Sequence, residues 1–331
     1  MRAVVLVGGF GTRLRPLTDT TPKQLLTVAH RPMIEHAVGH LARHGVTEVV
    51  LSVGFRPDAF EAAYPDGRCA GVSVRYAVEP EPLDTAGAIG FAARDAGLDD
   101  TFLACNGDVL TDLDIGALVD SHRATGAAAT IALTRVDDPS RYGVVPTDHE
   151  GRVLGFFEKP PVGQTPTNLV NAGIYVFEPS ILDRIPVGRP ASVERQVFPA
   201  MAVDGTLFAM ASDSYWVDAG TPATYLAANL QLVDHPEGGT HPEAYVDPTA
   251  RVGGSVVGPR VVVASGVSVE ASLVLDGATI RENVRVEGSI IGPGADIGAG
   301  AIVAGLSVVG PGAAVESGER LDGIRRPEPE G

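Results

Sequence analysis

The sequence predicts an α/β chain in two parts. A Rossmann-like, mixed but mainly parallel sheet covered by helices comes first, and a left-handed parallel β-helix follows it. Two observations carry this. Residues 1–232 alternate short apolar runs with helical patterns, the order that builds parallel strands joined by helical crossovers. Beyond residue 245, aliphatic side chains return about every six positions with Gly, Ala, Ser and Asp between them, the period of a triangular coil. A length of 331 residues also suits two domains better than one.

In chain order, strands are expected at 3–7, 48–53, 72–77, 101–105, 128–133, 153–157 and 172–177, and helices at 32–44, 85–96, 114–125 and 222–232. Pro32 suits a first helical turn and Gly45 a helix end. The Pro/Gly/His-rich stretch DHPEGGTHPEAY, 233–244, reads as a linker between domains at 1–232 and 245–318. In the repeat the aliphatics are Val246, Val252, Val257, Val263, Val269, Leu275, Ile280, Val286, Ile291, Ile297, Val303, Val309 and Val315, each expected to point into the coil. An ordinary sandwich would instead show turns every eight to twelve residues. Residues 319–331 are polar and expected to form a flexible tail.

The formal charge of −16 opposes nucleic acid and anionic membrane as partners. An aromatic share of 5% leaves few platforms for stacking single strands. A small anionic substrate stays compatible, because a local cluster of donors overrides the global field. The opening MRAVVLVGG runs straight into a glycine loop and reads as a first strand, and no segment reads as a secretory signal or membrane span. Cys69 and Cys105 make no disulfide framework, so the reducing cytoplasm is the expected compartment.

Two lysines, Lys23 and Lys159, stand against twenty-three arginines. A compact ammonium suits a phosphate shared among several partners, a role that a planar guanidinium does not fill freely. Lys23 closes the segment GGFGTRLRPLTDTTPK, and Lys159 lies in FFEKP. The first segment leaves a strand at Val7, and its glycines let backbone N–H groups approach phosphate oxygens while arginines neutralise charge. It is neither a Walker loop, lacking Gly-Lys-Ser/Thr, nor a dinucleotide fingerprint, since Leu14 stands where a third glycine would.

The run VVLVGGFGTRLRPLTDTTPKQLL resembles the signature of the nucleoside-diphosphate-sugar pyrophosphorylases, the sugar-1-phosphate nucleotidyltransferases. The later segments NGDVL, DDPSRYGVV, FFEKP, NAGIYVFEP, SVERQVFP and YWVDAGTPATYL are most similar to the mannose-1-phosphate guanylyltransferase group, in order to about residue 232. A β-helix tail is also usual in this family. The resemblance implies attack by a sugar 1-phosphate oxygen on the α-phosphorus of a nucleoside triphosphate, expelling pyrophosphate. Such a transfer needs positioning and charge neutralisation more than covalent help. It implies Arg13 at the triphosphate and Lys23 at the α-phosphate as catalytic residues, with Leu6, Gly8, Gly9, Gly11, Thr12, Glu79, Thr85 and Gly87 binding the nucleotide. Gly143, Glu158, Lys159, Asn171 and Gly173 would bind the sugar phosphate. Asp108 and Asp218, acids beside glycine at strand ends, would hold Mg²⁺ as hard oxygen ligands.

The nucleobase loop of the family matches EPEPLDTAG, which begins at Glu79. Glutamate only accepts hydrogen bonds at neutral pH. Guanine offers two adjacent donors, N1–H and the N2 amine, whereas thymine and uracil offer one N–H between carbonyls. A mismatch strands a polar group at a cost of about 1–3 kcal/mol, so GTP is favoured, and mannose 1-phosphate to GDP-mannose is the expected reaction. Two departures point elsewhere. Asp84 stands where family members commonly have glycine, and Gln24-Leu25-Leu26 resembles the glucose-1-phosphate thymidylyltransferases. Thr27 replaces a frequent proline. A thymidylyltransferase, a guanylyltransferase for a cyclitol phosphate, and a non-catalytic subunit sensing nucleotide sugar remain alternatives. The last predicts erosion of the glycine loop or the metal aspartates, which are all present.

His36, His40 and His44 share one face of the helix expected at 32–44, a spacing open to metal, but they read as a polar stripe or subunit contact. Repeats of this kind also build acyltransferases, which use a histidine base. Residues 245–331 contain neither histidine nor lysine, so the repeat is expected to serve homo-oligomer assembly or regulation.

Overall fold

The computed structural model describes residues 1–54, 56–234 and 239–328. The chain forms two compact units. Met1–Gly9 joins Ile34–Trp216, while Phe10–Met33 joins Val217–Gly331. From Phe10 onward the signature segment therefore belongs to the same unit as the β-helix.

The first unit is built on a ten-stranded sheet. Its strands are β1 (Arg2–Leu6), β2 (Glu48–Val53), β3 (Arg68–Cys69), β4 (Val72–Val78), β5 (Phe102–Asn106), β6 (Ala129–Arg135), β7 (Gly143–Val144), β8 (Phe157–Glu158), β9 (Leu169–Phe177) and β10 (Leu207–Ala211). The core order β5-β1-β2-β4 is parallel. β9 runs antiparallel to both β5 and β6. Ala3, Val4 and Val5 are fully buried, as a central parallel strand covered on both faces requires.

Helix α1 (Met33–Arg43), α3 (Asp84–Asp95) and α4 (Ile115–Thr125) lie where the periodicity places them. α4 starts at Asp114, whose carboxylate accepts the Ala117 N–H at 3.0 Å, a standard N-cap. Sequence reading misses α2 (Pro57–Ala63), which two nearby prolines disguise as a loop, and β10, which pairs with β6 and is also bonded by residues 151–153. The strand expected at 153–157 is broken. Val153 bridges Thr147 and only Phe157–Glu158 extends, with Gly155 between them.

The histidine stripe on α1 is not a plain surface feature. His40 is buried, its Nε2 donating to the Leu113 carbonyl at 2.8 Å, which leaves Nδ1 to accept from Arg43 at 3.2 Å. Burial first, then the neighbouring His44 at 4.9 Å between rings, lowers the His40 pKa. Among the described residues no group of three or more His, Cys, Asp or Glu is arranged to hold a metal, and no helix is long and apolar enough to cross a membrane.

Helix α5 (Phe198–Val203) completes the first unit, and in the second α6 (Pro222–Leu230) precedes the left-handed β-helix. Three parallel sheets of five strands each form its walls. Val262 pairs with Thr279 seventeen residues on, and one later coil, from Asp296 to Ala314, takes eighteen. The interior stack contains Val257, Val263, Val269, Val274, Ile280 and their successors to Leu321. Val274, not the expected Leu275, points inward, because the corner at Ser272 is one residue shorter than the other two of its coil. Thr240 already pairs with Val257, so coiling begins inside the expected linker, of which 235–238 lie outside the described residues. The expected tail also coils: Arg320–Asp322 and Arg325–Arg326 add strands, and Leu321 is buried. Its last three residues lie outside the described ones.

Serines occupy one corner in four successive coils, and Ile324 takes that place in the fifth. Ser255, Ser272, Ser289 and Ser307 are buried. The Ser255 hydroxyl accepts the Ser272 N–H at 3.0 Å, and the Ser272 hydroxyl accepts the Ser289 N–H at 3.1 Å. The ladder breaks before Ser307, where the longer coil inserts its extra residue. On the wall above this corner, the outward residues Val256, Leu273, Ile290 and Val308 are also buried, and α6 packs on Leu273–Val274.

Two outcomes follow. Ser272→Ala should strand the Ser289 N–H and cost about 1–3 kcal/mol in urea unfolding; an unchanged midpoint would contradict the ladder. His40 resists protonation when folded while the unfolded chain titrates near the ordinary 6.5. Its stabilising share is therefore complete above that value and lost as pH falls through it toward the lowered folded pKa. Thermal scans between pH 7 and 5 should show this loss, and His40→Gln should reduce it.

Candidate active site

The end of β1 sets the first group of residues. Leu6 pairs with Ser52 and with Asn106, and its carbonyl accepts the Gly107 N–H at 3.0 Å. A Cβ on Gly8 would lie 3.1 Å from Glu79 Oε1 and 3.2 Å from the Gly54 nitrogen, whereas one on Gly9 would meet nothing within 4 Å. Glu79 follows β4 and is held at both oxygens. Oε1 accepts from the Ser52 hydroxyl at 3.0 Å and Oε2 from the Leu83 N–H at 3.1 Å. Ser52 is a buried polar residue in the otherwise apolar strand VVLSV; that break in the pattern was the available signal for it.

The remainder of the expected base loop is tied to the protein. Asp84 has φ +57, the region a glycine takes without strain. Its carboxylate accepts the Thr85 N–H and pairs with Arg195, both at 2.7 Å. The Thr85 hydroxyl donates to Glu194 at 2.7 Å and accepts the Val193 N–H at 2.9 Å. Ala86 and Gly87 both donate to the Ala191 carbonyl, and a Cβ on Gly87 would lie 3.0 Å from the Arg189 carbonyl oxygen. Thr85 and Gly87, expected at the nucleotide, are thus engaged by the segment 189–194.

Asp108 follows β5 and is 9% exposed. Burial, then the Asp108 charge, pushes the Cys105 thiol up to about 12, so no thiolate stands beside this carboxylate. Across from it, β9 bulges. Gly173 has φ +74 and a Cβ there would lie 2.7 Å from Asn106 Nδ2. The Asn171 side chain accepts the Gly173 N–H at 2.9 Å and donates to the Tyr175 hydroxyl at 2.9 Å. Trp216, which sequence reading passes over, donates from Nε1 to the Ala172 carbonyl inside the bulge at 2.8 Å and meets the Tyr142 ring edge-on at 5.4 Å. Gly143 faces Phe156 and Glu158, whose Oε2 would be 3.1 Å from a Cβ. Lys159 has φ +47, its ammonium 3.2 Å from Glu158 Oε1 and its N–H donating to the Tyr142 carbonyl at 3.0 Å. Glu158, Lys159, Gly143, Asn171 and Gly173 thus lie on or beside the neighbouring strands β7, β8 and β9.

The second group lies in the other unit. The signature segment folds as three single turns, Thr12–Leu14, Leu17–Asp19 and Lys23–Leu25. Gly11 enters them at φ +64, its carbonyl accepting the Thr18 hydroxyl at 2.9 Å, and a Cβ there would lie 3.2 Å from that of Lys23. Thr12 and Arg13 are exposed and Lys23 is half-buried. The Asp218 carboxylate accepts the Gly220 N–H at 2.9 Å. A Cβ on Gly220 would lie 2.7 Å from Asp218 Oδ1 and 2.8 Å from Arg13 Nη2, so both charged groups border this glycine. Asp108 in the first unit and Asp218 in the second each offer a hard carboxylate oxygen, the kind of donor that Mg²⁺ takes. Gly173→Ala should drive Asn106 aside and strain the bulge. Sugar-phosphate turnover should fall at least about tenfold, with the KM for nucleotide less affected than that for sugar phosphate; wild-type kinetics would contradict the placement.

A nucleotidyl transferase family model matches residues 2–235, and a model described as the GMPPB C-terminal domain matches 236–324. The chain is 40% identical over 292 residues to mannose-1-phosphate guanylyltransferase of Mycobacterium tuberculosis, covering 84% of this chain and 80% of that one. Among solved structures, a putative glucose-1-phosphate thymidylyltransferase from Bacillus anthracis matches with TM-score 0.63 at 28% identity, covering 71% of this chain and 96% of that one. HddC from Yersinia pseudotuberculosis, in a complex with GMP-PN, matches with TM-score 0.61 at 28% identity, covering 70% and 99%. With the glycine segment, both lysine motifs and both aspartates in place, the chain belongs to the nucleotidyl transferase family and is an enzyme of that class.

Proposed function

We propose that this enzyme transfers a guanylyl group from GTP to mannose 1-phosphate, releasing pyrophosphate and forming GDP-mannose, in the cytoplasm. The observation that carries the base choice is the doubly held Glu79 carboxylate. Its oxygens are already oriented by Ser52 and Leu83, and each keeps a second lone pair for the adjacent N1–H and N2–H donors of guanine. Asp84, turned to Arg195 and Thr85, does not compete for the base. The mannose-1-phosphate guanylyltransferase relative and the GMP-PN complex named above support the same choice, and the 40% identity of the first outweighs the 28% of the thymidylyltransferase neighbour.

The sugar phosphate needs no activating base, since its second ionisation lies near pH 6. One of its oxygens forms the new bond to the α-phosphorus while the bond to the bridging oxygen breaks, and that electron pair leaves with pyrophosphate. Arg13 neutralises the triphosphate and the leaving group, Lys23 stabilises charge building at the α-phosphate, and Lys159 holds the incoming phosphate beside Glu158. Asp108 and Asp218 would hold Mg²⁺, which when bound supplies further charge neutralisation along the triphosphate. Glu158, Asn171 and the backbone at Gly143 and Gly173 read the sugar hydroxyls. Self-association would use the exposed β-helix wall carrying Tyr245 and Val262, 57% and 41% exposed.

Pyrophosphate release across GTP, dTTP, UTP, ATP and CTP, each with mannose, glucose and other hexose 1-phosphates, tests this reading. GTP with mannose 1-phosphate should give the highest kcat/KM, and Glu79→Gln should lower it about 10- to 100-fold for GTP. A dTTP preference in the wild type would overturn the guanine reading and make Gln24 the better guide.

A further inference from the structure

The hairpin that follows Lys23 contains a turn its own residues disfavour. Thr27–Val28 pairs antiparallel with Arg31–Pro32, Val28 opposite Arg31, so Ala29 and His30 form a two-residue turn. Both take positive φ, +46 and +67. A hairpin turn of this kind favours Asn-Gly or Gly-Gly, and a strained turn persists only where its surroundings over-determine it.

Those surroundings come from about two hundred residues downstream. Asn229 is fully buried, and its Oδ1 accepts the Ala29 N–H at 3.1 Å. Its Nδ2 donates to the Tyr225 carbonyl at 3.0 Å, which fixes the amide's orientation. The Tyr225 hydroxyl donates to the Thr27 carbonyl at 2.7 Å. His30 adds a contact at 3.2 Å from Nε2 to the Gly239 carbonyl oxygen, with the His241 ring 5.1 Å away.

The hairpin closes directly on the turn that carries Lys23. Leu26 donates to the Lys23 carbonyl at 3.1 Å, and Met33 to the Leu26 carbonyl at 2.9 Å. Tyr225 and Asn229 both lie on α6, whose entry carries Asp218 and Gly220, with Arg13 bordering that glycine. The helix thus holds the hairpin that follows Lys23, and the loop leading into it borders Arg13. Its other side rests on the β-helix at Leu273–Val274, and Pro16 packs against Gly310, where a Cβ would come within 2.9 Å of the ring.

We infer that Tyr225 and Asn229 are positioning residues, holding the strained turn so that Lys23 keeps a fixed distance from Arg13 and Asp218, with the β-helix as their backing. This deepens the proposed function and rests on its assignment of Lys23 and Arg13 to phosphate. The β-helix then contributes to phosphate binding within each chain, apart from any assembly role.

Calorimetry with full-length protein, Mg²⁺ and either inorganic pyrophosphate or GTP decides it, alongside steady-state KM values and melting temperatures. Asn229→Ala should weaken both ligands about 10-fold in protein that remains folded, leaving the KM for sugar 1-phosphate within about twofold. Ala29→Gly in that background should recover at least half the loss, because glycine takes positive φ without strain. Tyr225→Phe, the milder change, should weaken both ligands about threefold and serves if Asn229→Ala does not fold. A lowered melting temperature with unchanged pyrophosphate affinity would overturn the inference, as would an equal rise in the sugar-phosphate KM. A wild type that binds pyrophosphate but turns over no pair would sink the proposed reaction, while the variants' pyrophosphate affinities would still decide the positioning role. A wild type that binds no pyrophosphate would overturn both.

Discussion

Everything in the first unit depends on the parallel register of β1 with its two neighbours. Leu6 is opposite both Ser52 and Asn106, so three strands end at one level and their following residues emerge on one edge. Carboxyl ends of parallel strands are where open α/β sheets bind ligands, and here that edge delivers Gly8, Gly54, Glu79 and Asp108. A slip of one residue in β1 would exchange the faces of every side chain on it, and the full burial of Ala3, Val4 and Val5 makes such a slip costly. The hydrophobic pattern of a five-residue strand thus fixes where the carboxylates stand.

The second group of charges is held by different physics. Arg13 and Lys23 sit on short turns, which lack the ladder of hydrogen bonds that secures a strand, and Asp218 is the last residue of the three-residue strand Trp216–Asp218. Their order comes from packing against one another and against α6. Gly11 meets Thr18 and Lys23, and Gly220 meets Asp218 and Arg13. Glycines at such points allow backbone and charged side chains to approach more closely than a Cβ permits. Phosphoryl chemistry asks for charges that are already in place before the substrate arrives, and loops packed on a helix and a β-helix wall can supply that.

Much of this is legible in the sequence, and the reasons for the misses are physical. Long periodic helices and the hexapeptide repeat declare themselves, because their periods are imposed by burial over many residues. Leu275 reads as inward because a period cannot show which corner is short; the ladder through Ser272 decides that Val274 fills the core. The strand expected at 153–157 fails at Gly155, and β10 exists because β6 and residues 151–153 bond its backbone from either side. At the site, the motifs locate Arg13, Lys23, Asp108, Lys159 and Asp218 by type. They do not show that Thr85 and Gly87 are bound to 189–194, that Asp84 occupies a glycine-like conformation neutralised by Arg195, or that Ser52 and Trp216 orient Glu79 and the neighbours of Asn171. Such contacts mostly join residues far apart in sequence, and of them only Ser52, polar within an apolar strand, leaves a trace in the sequence. The division between the units is hidden for the same reason, since Phe10–Met33 packs with a part of the chain that follows it by two hundred residues.

With the roles proposed for Arg13 and Lys23, the reaction proceeds through positioning and charge neutralisation, by one direct displacement at the α-phosphorus and with no covalent nucleotidyl intermediate. The most direct test is the stereochemical course with GTP made chiral at that phosphorus by sulfur substitution. A single in-line displacement predicts inversion of configuration in the nucleotide sugar formed. Retention would require two displacements, hence a nucleophile on the protein, and would contradict a purely electrostatic role for Arg13 and Lys23.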